Sequence, residues 1–236
     1  MQAKPHDHPT PARAHRVYVA LTNHCNRACP WCSTYSSPAG NTWITWDQLA
    51  ASLPAESAFE VQLEGGEPTL HPGFWDFVAR LRANPRCGTL ILCTNGVVMP
   101  RRTDKLRAWL AQLGEPLLVK LSINHHLLDH DSGLLTLAEA VRESLTELGG
   151  EREVVYNVRL RRGSEGDDRA VKEAVTRAQL DGRANVFYLQ RYGMASSEAD
   201  WEEPFLAGHN FRMVNPDGQV FGPDLIARSE AMGKLP

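Results

Sequence analysis

The sequence predicts an α/β fold with a parallel sheet, in the form of a partial (β/α)6 TIM-like barrel carrying a short C-terminal β-hairpin extension. Three observations carry this expectation. Short β-rich apolar runs alternate with amphipathic stretches six times, the rhythm of successive βα units. The chain has 236 residues, whereas a complete eight-unit barrel takes about 250, and the six units already fill it from Arg16 to about Tyr192. Residue types that carry chemistry stand just past the ends of the first four strands, where parallel sheets place their working groups.

Taken in order, Arg16 to Leu21 reads as a strand, followed directly by a cysteine-bearing loop. Thr45 is placed to cap a helix from Asp47 to Leu53, with Asp47 and Gln48 in its first turn. Phe59 to Leu63 is a second strand ending in Gly65-Gly66-Glu67-Pro68. Pro72 suits the first turn of a helix reaching about Ala83, with Phe74, Phe77, Val78 and Leu81 on one face. Thr89 to Cys93 is a third strand closed by Thr94-Asn95-Gly96, and Asp104 to Leu113 is helical. Leu117 to Ile123 is a fourth strand with Ser122 and Asn124 at its end. Leu134 to Leu148 is a helix stopped by Gly149-Gly150. Val154 to Leu160, then a helix from Asp167 to Leu180, then Asn185 to Gln190 complete the series. Beyond them, Phe211 to Val214 and Gln219 to Phe221 flank Asn215-Pro216-Asp217-Gly218 and read as a hairpin.

The expected organisation is a flexible tail over residues 1–15, a barrel domain over 16–204 and a hairpin extension over 205–236, packed on the barrel. Hydrophobic residues make up 42% of the chain, normal for a globular core, and the net charge is −3, which offers nucleic acid no global positive field. No apolar run approaches the roughly 18 residues of a membrane span. The polar, proline-containing start lacks the apolar stretch of a secretory signal, so a cytoplasmic location is expected.

Five cysteines stand at positions 25, 29, 32, 87 and 93. An odd number with three packed together is not a disulfide framework, and clustered thiols in a reducing compartment more often bind metal. Cys25-Asn26-Arg27-Ala28-Cys29-Pro30-Trp31-Cys32 spaces three thiols as C-x3-C-x2-C. Three thiolates cannot saturate a four-iron cubane, whose usual complement is four. One iron is left open for a substrate or cofactor. Cys87 and Cys93 stand apart, and Cys93 reads as a small buried hydrophobe.

The cysteine loop after the first strand, with an aromatic residue before its last cysteine, and Gly-Gly-Glu-Pro after the second together resemble the radical S-adenosylmethionine (SAM) superfamily. The resemblance runs from about Tyr18 to Arg191. It implies a single [4Fe–4S] cluster on Cys25, Cys29 and Cys32, whose open iron takes the amino and carboxylate groups of SAM. It implies Trp31 near the adenine and Gly65, Gly66, Glu67 and Pro68 around the methionine ammonium. Ser122 and Asn124 match positions touching ribose or the methionine carboxylate, which Asn157 or Arg159 is also placed to reach. Thr94, Gln190 and Arg191 complete the candidate cofactor residues. The implied chemistry is one-electron cleavage of SAM to a 5′-deoxyadenosyl radical, which abstracts hydrogen from substrate. It requires a reductant such as flavodoxin or ferredoxin.

The tail, from Gly208 through Phe211 to Phe221, is similar to the SPASM or twitch extension of peptide-modifying members but carries no cysteine. A peptide substrate follows from that similarity, with Phe205, His209, Asn210 and Arg212 near it; a small-molecule substrate is the alternative. Other readings stand beside these. Within the superfamily, the same cluster serves methyl or aminocarboxypropyl transfer. Outside it, the cysteines with His24 make a structural zinc site. Glu67 can cap a helix, Ser122 and Asn124 can be strand-end turn residues, and His125, His126 and His130 suit a surface or substrate pocket.

Overall fold

The computed structural model describes residues 15–198 and 211–236. These fall into two compact units, one of residues 93–189 and one joining 15–92 to 190–198 and 211–236. The division lies within a strand, so each unit is described in its own terms. Phe205, Gly208, His209 and Asn210, named in the sequence reading, lie outside the described residues, as do residues 1–14.

In the larger unit, β1 (His15–Ala20) is followed by the cysteine loop and α1 (Trp46–Ser52). Thr45 caps α1 in a full capping box with Gln48, worth about 1 kcal/mol. Next come β2 (Phe59–Glu64), a 3-10 turn at Pro68–Leu70, α2 (Phe74–Ala83) and β3 (Cys87–Thr94). Gly73, not Pro72, precedes α2, because Glu67 starts a separate turn that occupies the intervening residues. β1 pairs in parallel with β2, and β2 with β3 up to Leu92.

The smaller unit holds α3 (Thr103–Ala111), β4 (Leu117–Ile123), α4 (His125–His130), α5 (Leu134–Leu148), β5 (Arg152–Leu160), α6 (Glu165–Arg177) and β6 (Ala184–Tyr188). β4 pairs with β5 and β5 with β6, both in parallel. The succession of strand and helix and the parallel pairings are those of the α/β fold the sequence predicts. α5 ends at Gly149, whose φ of 65° is the left-handed stop a glycine permits. On β5, Val154, Tyr156, Val158 and Leu160 are buried, and the Tyr156 hydroxyl donates to the Ala138 carbonyl of α5 at 3.0 Å. That face therefore meets the helix, while Asn157 and Arg159 point the other way. Tyr156→Phe is expected to cost about 1 kcal/mol in chemical denaturation, since it removes a buried hydrogen bond without changing shape.

The C-terminal part departs from the expected appended hairpin. β7 (Phe211–Val214) and β8 (Val220–Phe221) do pair antiparallel, but β7 also lies parallel beside β1, from Arg16↔Phe211 to Val19↔Val214. β1 is thus an interior strand of its unit. Arg212, expected near substrate, pairs in register with Val17 and donates to the Ser52 carbonyl of α1 at 2.9 Å. Residue alternation puts it on the helix-covered face, opposite Arg16 and Tyr18. A further helix, α7 (Leu225–Met232), is capped by Asp224 accepting from Ala227 N–H at 2.9 Å. Among the described residues no helix is long and apolar enough to cross a membrane.

Candidate active site

The cysteine loop is held open by backbone pairing at its base. Leu21 donates to the Glu64 carbonyl at 2.9 Å, Cys25 to Ser37 at 3.0 Å, and isolated bridges join Thr22 to Trp43 and His24 to Ser37. Asn23, 3% exposed, donates from its amide to the Pro236 carbonyl at 2.9 Å and accepts from Thr42 N–H at 2.9 Å. The far end is gripped by the 190–196 segment and α7. Met194 N–H donates to the Cys32 carbonyl at 3.0 Å, the Tyr35 hydroxyl to Gly193 at 2.9 Å, and the Ser229 hydroxyl to the Ser33 carbonyl at 2.8 Å. Gly193 is required twice over: its φ is +66°, and a Cβ there would sit 2.5 Å from Ser33 Cα.

The Gly65-Gly66-Glu67-Pro68 turn lies directly on this loop. Gly66 N–H donates to the Thr22 carbonyl at 2.7 Å and Glu67 N–H to the His24 carbonyl at 2.9 Å, while Thr34 Oγ1 donates to the Gly65 carbonyl at 3.2 Å. A Cβ on Gly65 would lie 2.5 Å from the Thr22 oxygen, and one on Gly66 would overlap the His24 carbonyl. The two glycines therefore let one backbone cross another. Glu67 is fully buried, starts the 3-10 turn, and accepts from the Thr69 hydroxyl at 2.6 Å. Pro68 is buried at the first position of that turn.

The donor set fits a cluster of the kind three thiols imply. Cys25 is buried, Cys29 and Cys32 half-buried, and none forms a disulfide. Cys32 Sγ accepts from Ser36 N–H at 3.3 Å and lies 3.4 Å from Thr34 Oγ1. An N–H aimed at a sulfur favours a metal-bound thiolate. Burial pushes the Cys25 thiol up to about 12, reinforced by Glu67 and the other two thiols. Metal binding must therefore displace that proton. Among the described residues no three His, Cys, Asp or Glu side chains gather as a site for a single metal ion. His24, the fourth ligand of the zinc reading, turns its Nδ1 to within 3.0 Å of the Gly40 carbonyl and stacks on Trp43. Trp31 is 7% exposed.

In the smaller unit, the remaining candidates occupy one strand face and the adjoining turns. Ser122 on β4 is in register with Asn157 on β5, and Asn157 accepts from the Asn185 amide at 3.4 Å. Arg159 shares that face, with its guanidinium over the Phe187 ring at 5.8 Å. Asn124 is the N-cap of α4, accepting from Leu127 N–H at 2.9 Å, and Thr94 accepts from Gly96 N–H at 3.0 Å. Both thus have a structural task whatever else they touch. Gln190, in the larger unit, lies past the end of β6 with its carbonyl accepting from Tyr192 at 3.0 Å. His125 approaches Asp167 at 3.7 Å, and His126 and His130 stack on each other.

Sequence reasoning missed a buried polar network beside the turn. Glu64, the last residue of β2, accepts from Arg228 Nη1 at 2.7 Å on one oxygen and from Gln62 Nε2 at 2.5 Å on the other. Arg228 Nε donates to Asn215 Oδ1 at 3.1 Å. Arg228 Nη2 is buried without a hydrogen-bond partner among the described residues, a cost of about 1–3 kcal/mol. The only sequence signal was Glu64 standing immediately before Gly65. Nothing local tied it to α7.

Comparison with known proteins finds one matching family model. The family model for the Radical SAM superfamily matches residues 19–126, the stretch that contains both the cysteine loop and the Gly-Gly-Glu-Pro turn. Over that stretch the chain is similar to the radical SAM superfamily. Among curated relatives, a GTP 3′,8-cyclase of Chlorobaculum tepidum is 31% identical over 93 residues, 38% of this chain and 28% of its own length. One of Pectobacterium atrosepticum is 33% identical over 108 residues, 42% of this chain and 33% of its own. The chain thus spans about a third of the length of these radical SAM relatives. A solved structure of BtrN in complex with AdoMet and 2-DOIA aligns with 17% identity and a TM-score of 0.41, covering 89% of this chain and 72% of that one. A [4Fe–4S] cluster and SAM are what the radical SAM superfamily implies.

Proposed function

We propose that this protein is a radical SAM enzyme, with one [4Fe–4S] cluster held by Cys25, Cys29 and Cys32 and SAM held by Gly65, Gly66, Glu67 and Pro68. The observation that carries the reading is the backbone interlock of the two motifs, Gly66 to Thr22 and Glu67 to His24, within the segment that matches the superfamily. When bound and reduced, the cluster supplies an electron to the sulfonium of SAM, giving methionine and a 5′-deoxyadenosyl radical that takes a hydrogen atom from substrate. The chain's own part is to bind and orient. Ser36 N–H donates to the Cys32 sulfur. Glu67 offers a buried carboxylate to the methionine ammonium. The resemblance gives Ser122 and Asn124 to the ribose or the methionine carboxylate, and Asn157 or Arg159 to that carboxylate. A low-potential donor of the flavodoxin or ferredoxin class supplies the electron.

The test is anaerobic reconstitution with iron and sulfide, then SAM and dithionite, with nucleosides separated by chromatography and identified by mass. 5′-Deoxyadenosine is the expected product. Methylthioadenosine would indicate aminocarboxypropyl transfer, S-adenosylhomocysteine methyl transfer, and a colourless zinc protein without any of these a binding module. The substrate panel includes peptides, to which the tail's similarity points, and GTP, for which the curated relatives are named; the substrate raises the 5′-deoxyadenosine yield.

Glu67→Gln keeps the shape of the turn and the Thr69 contact but removes the charge. A charge-assisted hydrogen bond is worth roughly 1.5–3 kcal/mol, so SAM affinity is expected to fall about ten- to a hundredfold in calorimetric titration. Wild-type affinity in that variant means the carboxylate does not meet the ammonium.

A further inference from the structure

The network beside the turn contains a donor that none of its members uses. Arg228 is 6% exposed, and two of its three guanidinium nitrogens are fixed, Nη1 on Glu64 and Nε on Asn215. The Arg228 carbonyl also accepts from the Asn215 amide at 3.3 Å. With the group pinned on two sides, Nη2 cannot rotate to water, and among the described residues nothing accepts from it. Its place is specific. Glu64 immediately precedes Gly65, and Ser229, next to Arg228, is bonded to Ser33, the residue after Cys32. The donor therefore lies where the two motif-bearing segments are tied together by α7.

We propose that Arg228 Nη2 binds the substrate of the radical reaction, donating a hydrogen bond to an uncharged oxygen, a hydroxyl or a carbonyl. The proposal rests on the radical SAM reading above. Two arguments fix the ligand class. Arg228 and Glu64 already form a neutral ion pair at 2.7 Å, so an incoming anion would leave an uncompensated negative charge in a buried site, whereas a neutral oxygen adds none. The superfamily match ends at residue 126, and Arg228 and Asn215 lie beyond it. Neither residue holds the cluster or SAM in the reading above, so the ligand left for Nη2 is the substrate.

The test uses the full chain, reconstituted anaerobically and crystallised with SAM, and soaked with formamide or with acetate as the probe. Wild-type crystals are expected to show SAM out of reach of Nη2, formamide with its oxygen at hydrogen-bond distance from Nη2, and no acetate there. Glu64→Gln removes the compensating charge at constant shape, and in that variant acetate is expected to replace formamide as the preferred occupant. Three results overturn the proposal, and all are read from wild type alone, so it stays testable should the variant not fold: a SAM or protein atom accepting from Nη2, acetate bound as well as formamide, or neither probe bound. A chain that forms no cluster or binds no SAM fails before any soak, and that failure counts against the enzyme reading instead.

Discussion

Alanine at Cys25, Cys29 or Cys32, one at a time, is expected to bring iron content after anaerobic reconstitution to background and to abolish SAM cleavage. The reason is stoichiometric: a four-iron cubane with one open iron has no spare protein ligand, so losing one thiolate leaves two. The fold should survive, because β1, β2 and β7 are joined through backbone pairing that the side chains do not enter. Melting temperature of the apo protein is the control. Cys87→Ala and Cys93→Ala are expected to retain iron. Wild-type iron and 5′-deoxyadenosine yield in any of the three loop variants would end the assignment of the cluster to these residues.

Gly66→Ala is expected to cost nearly as much while leaving every cysteine in place. The added methyl would overlap the His24 carbonyl, which is backbone and cannot move aside by a rotamer change. The turn must lift from the cysteine loop and lose the bonds from Gly66 to Thr22 and from Glu67 to His24. Overpacking of this kind costs about 1–3 kcal/mol, which for a chain this size lowers the melting temperature by roughly 2–12 °C. Iron incorporation should fall with it. Gly166→Ala is the control. It lies in α6 with nothing within 4 Å of an added Cβ, and is expected to be neutral or slightly stabilising. Equal behaviour of the two variants would mean that the turn does not rest on the loop.

Much of this site was legible because its signals are local. The C-x3-C-x2-C spacing, the glycine pair at a strand end and the Thr45 cap are each written within a few residues. So is α5, bounded by its 3.6-residue apolar rhythm and Gly149. What escaped depends on distant partners. Nothing near Phe211 announces that it will lie beside Arg16, so a Pro-Asp-Gly turn was read as an appended hairpin when its first strand is part of the sheet. Arg212 was placed by proximity to a tail, yet residue alternation turns it under α1. α4 is only six residues long, too short for periodicity to show. The glycines of the turn are expected to admit a ligand, and the structure shows them also admitting the backbone of the cysteine loop. Asn124 and Thr94, chosen for cofactor contact, also close their own turns, as short polar side chains do.

The interior position of β1 also bears on how the protein matures. The strand that carries the cysteine loop is synthesised before both of its neighbours, and the second of them, β7, is made roughly 200 residues later, a separation that places this pairing among the slow, non-local steps of folding. α7, which ties the loop to Glu64, comes later still. On the ribosome, the three thiols therefore ride on a strand with one bare edge and on a loop without its clamp. The loop reaches its finished form only once the whole of α7 has emerged.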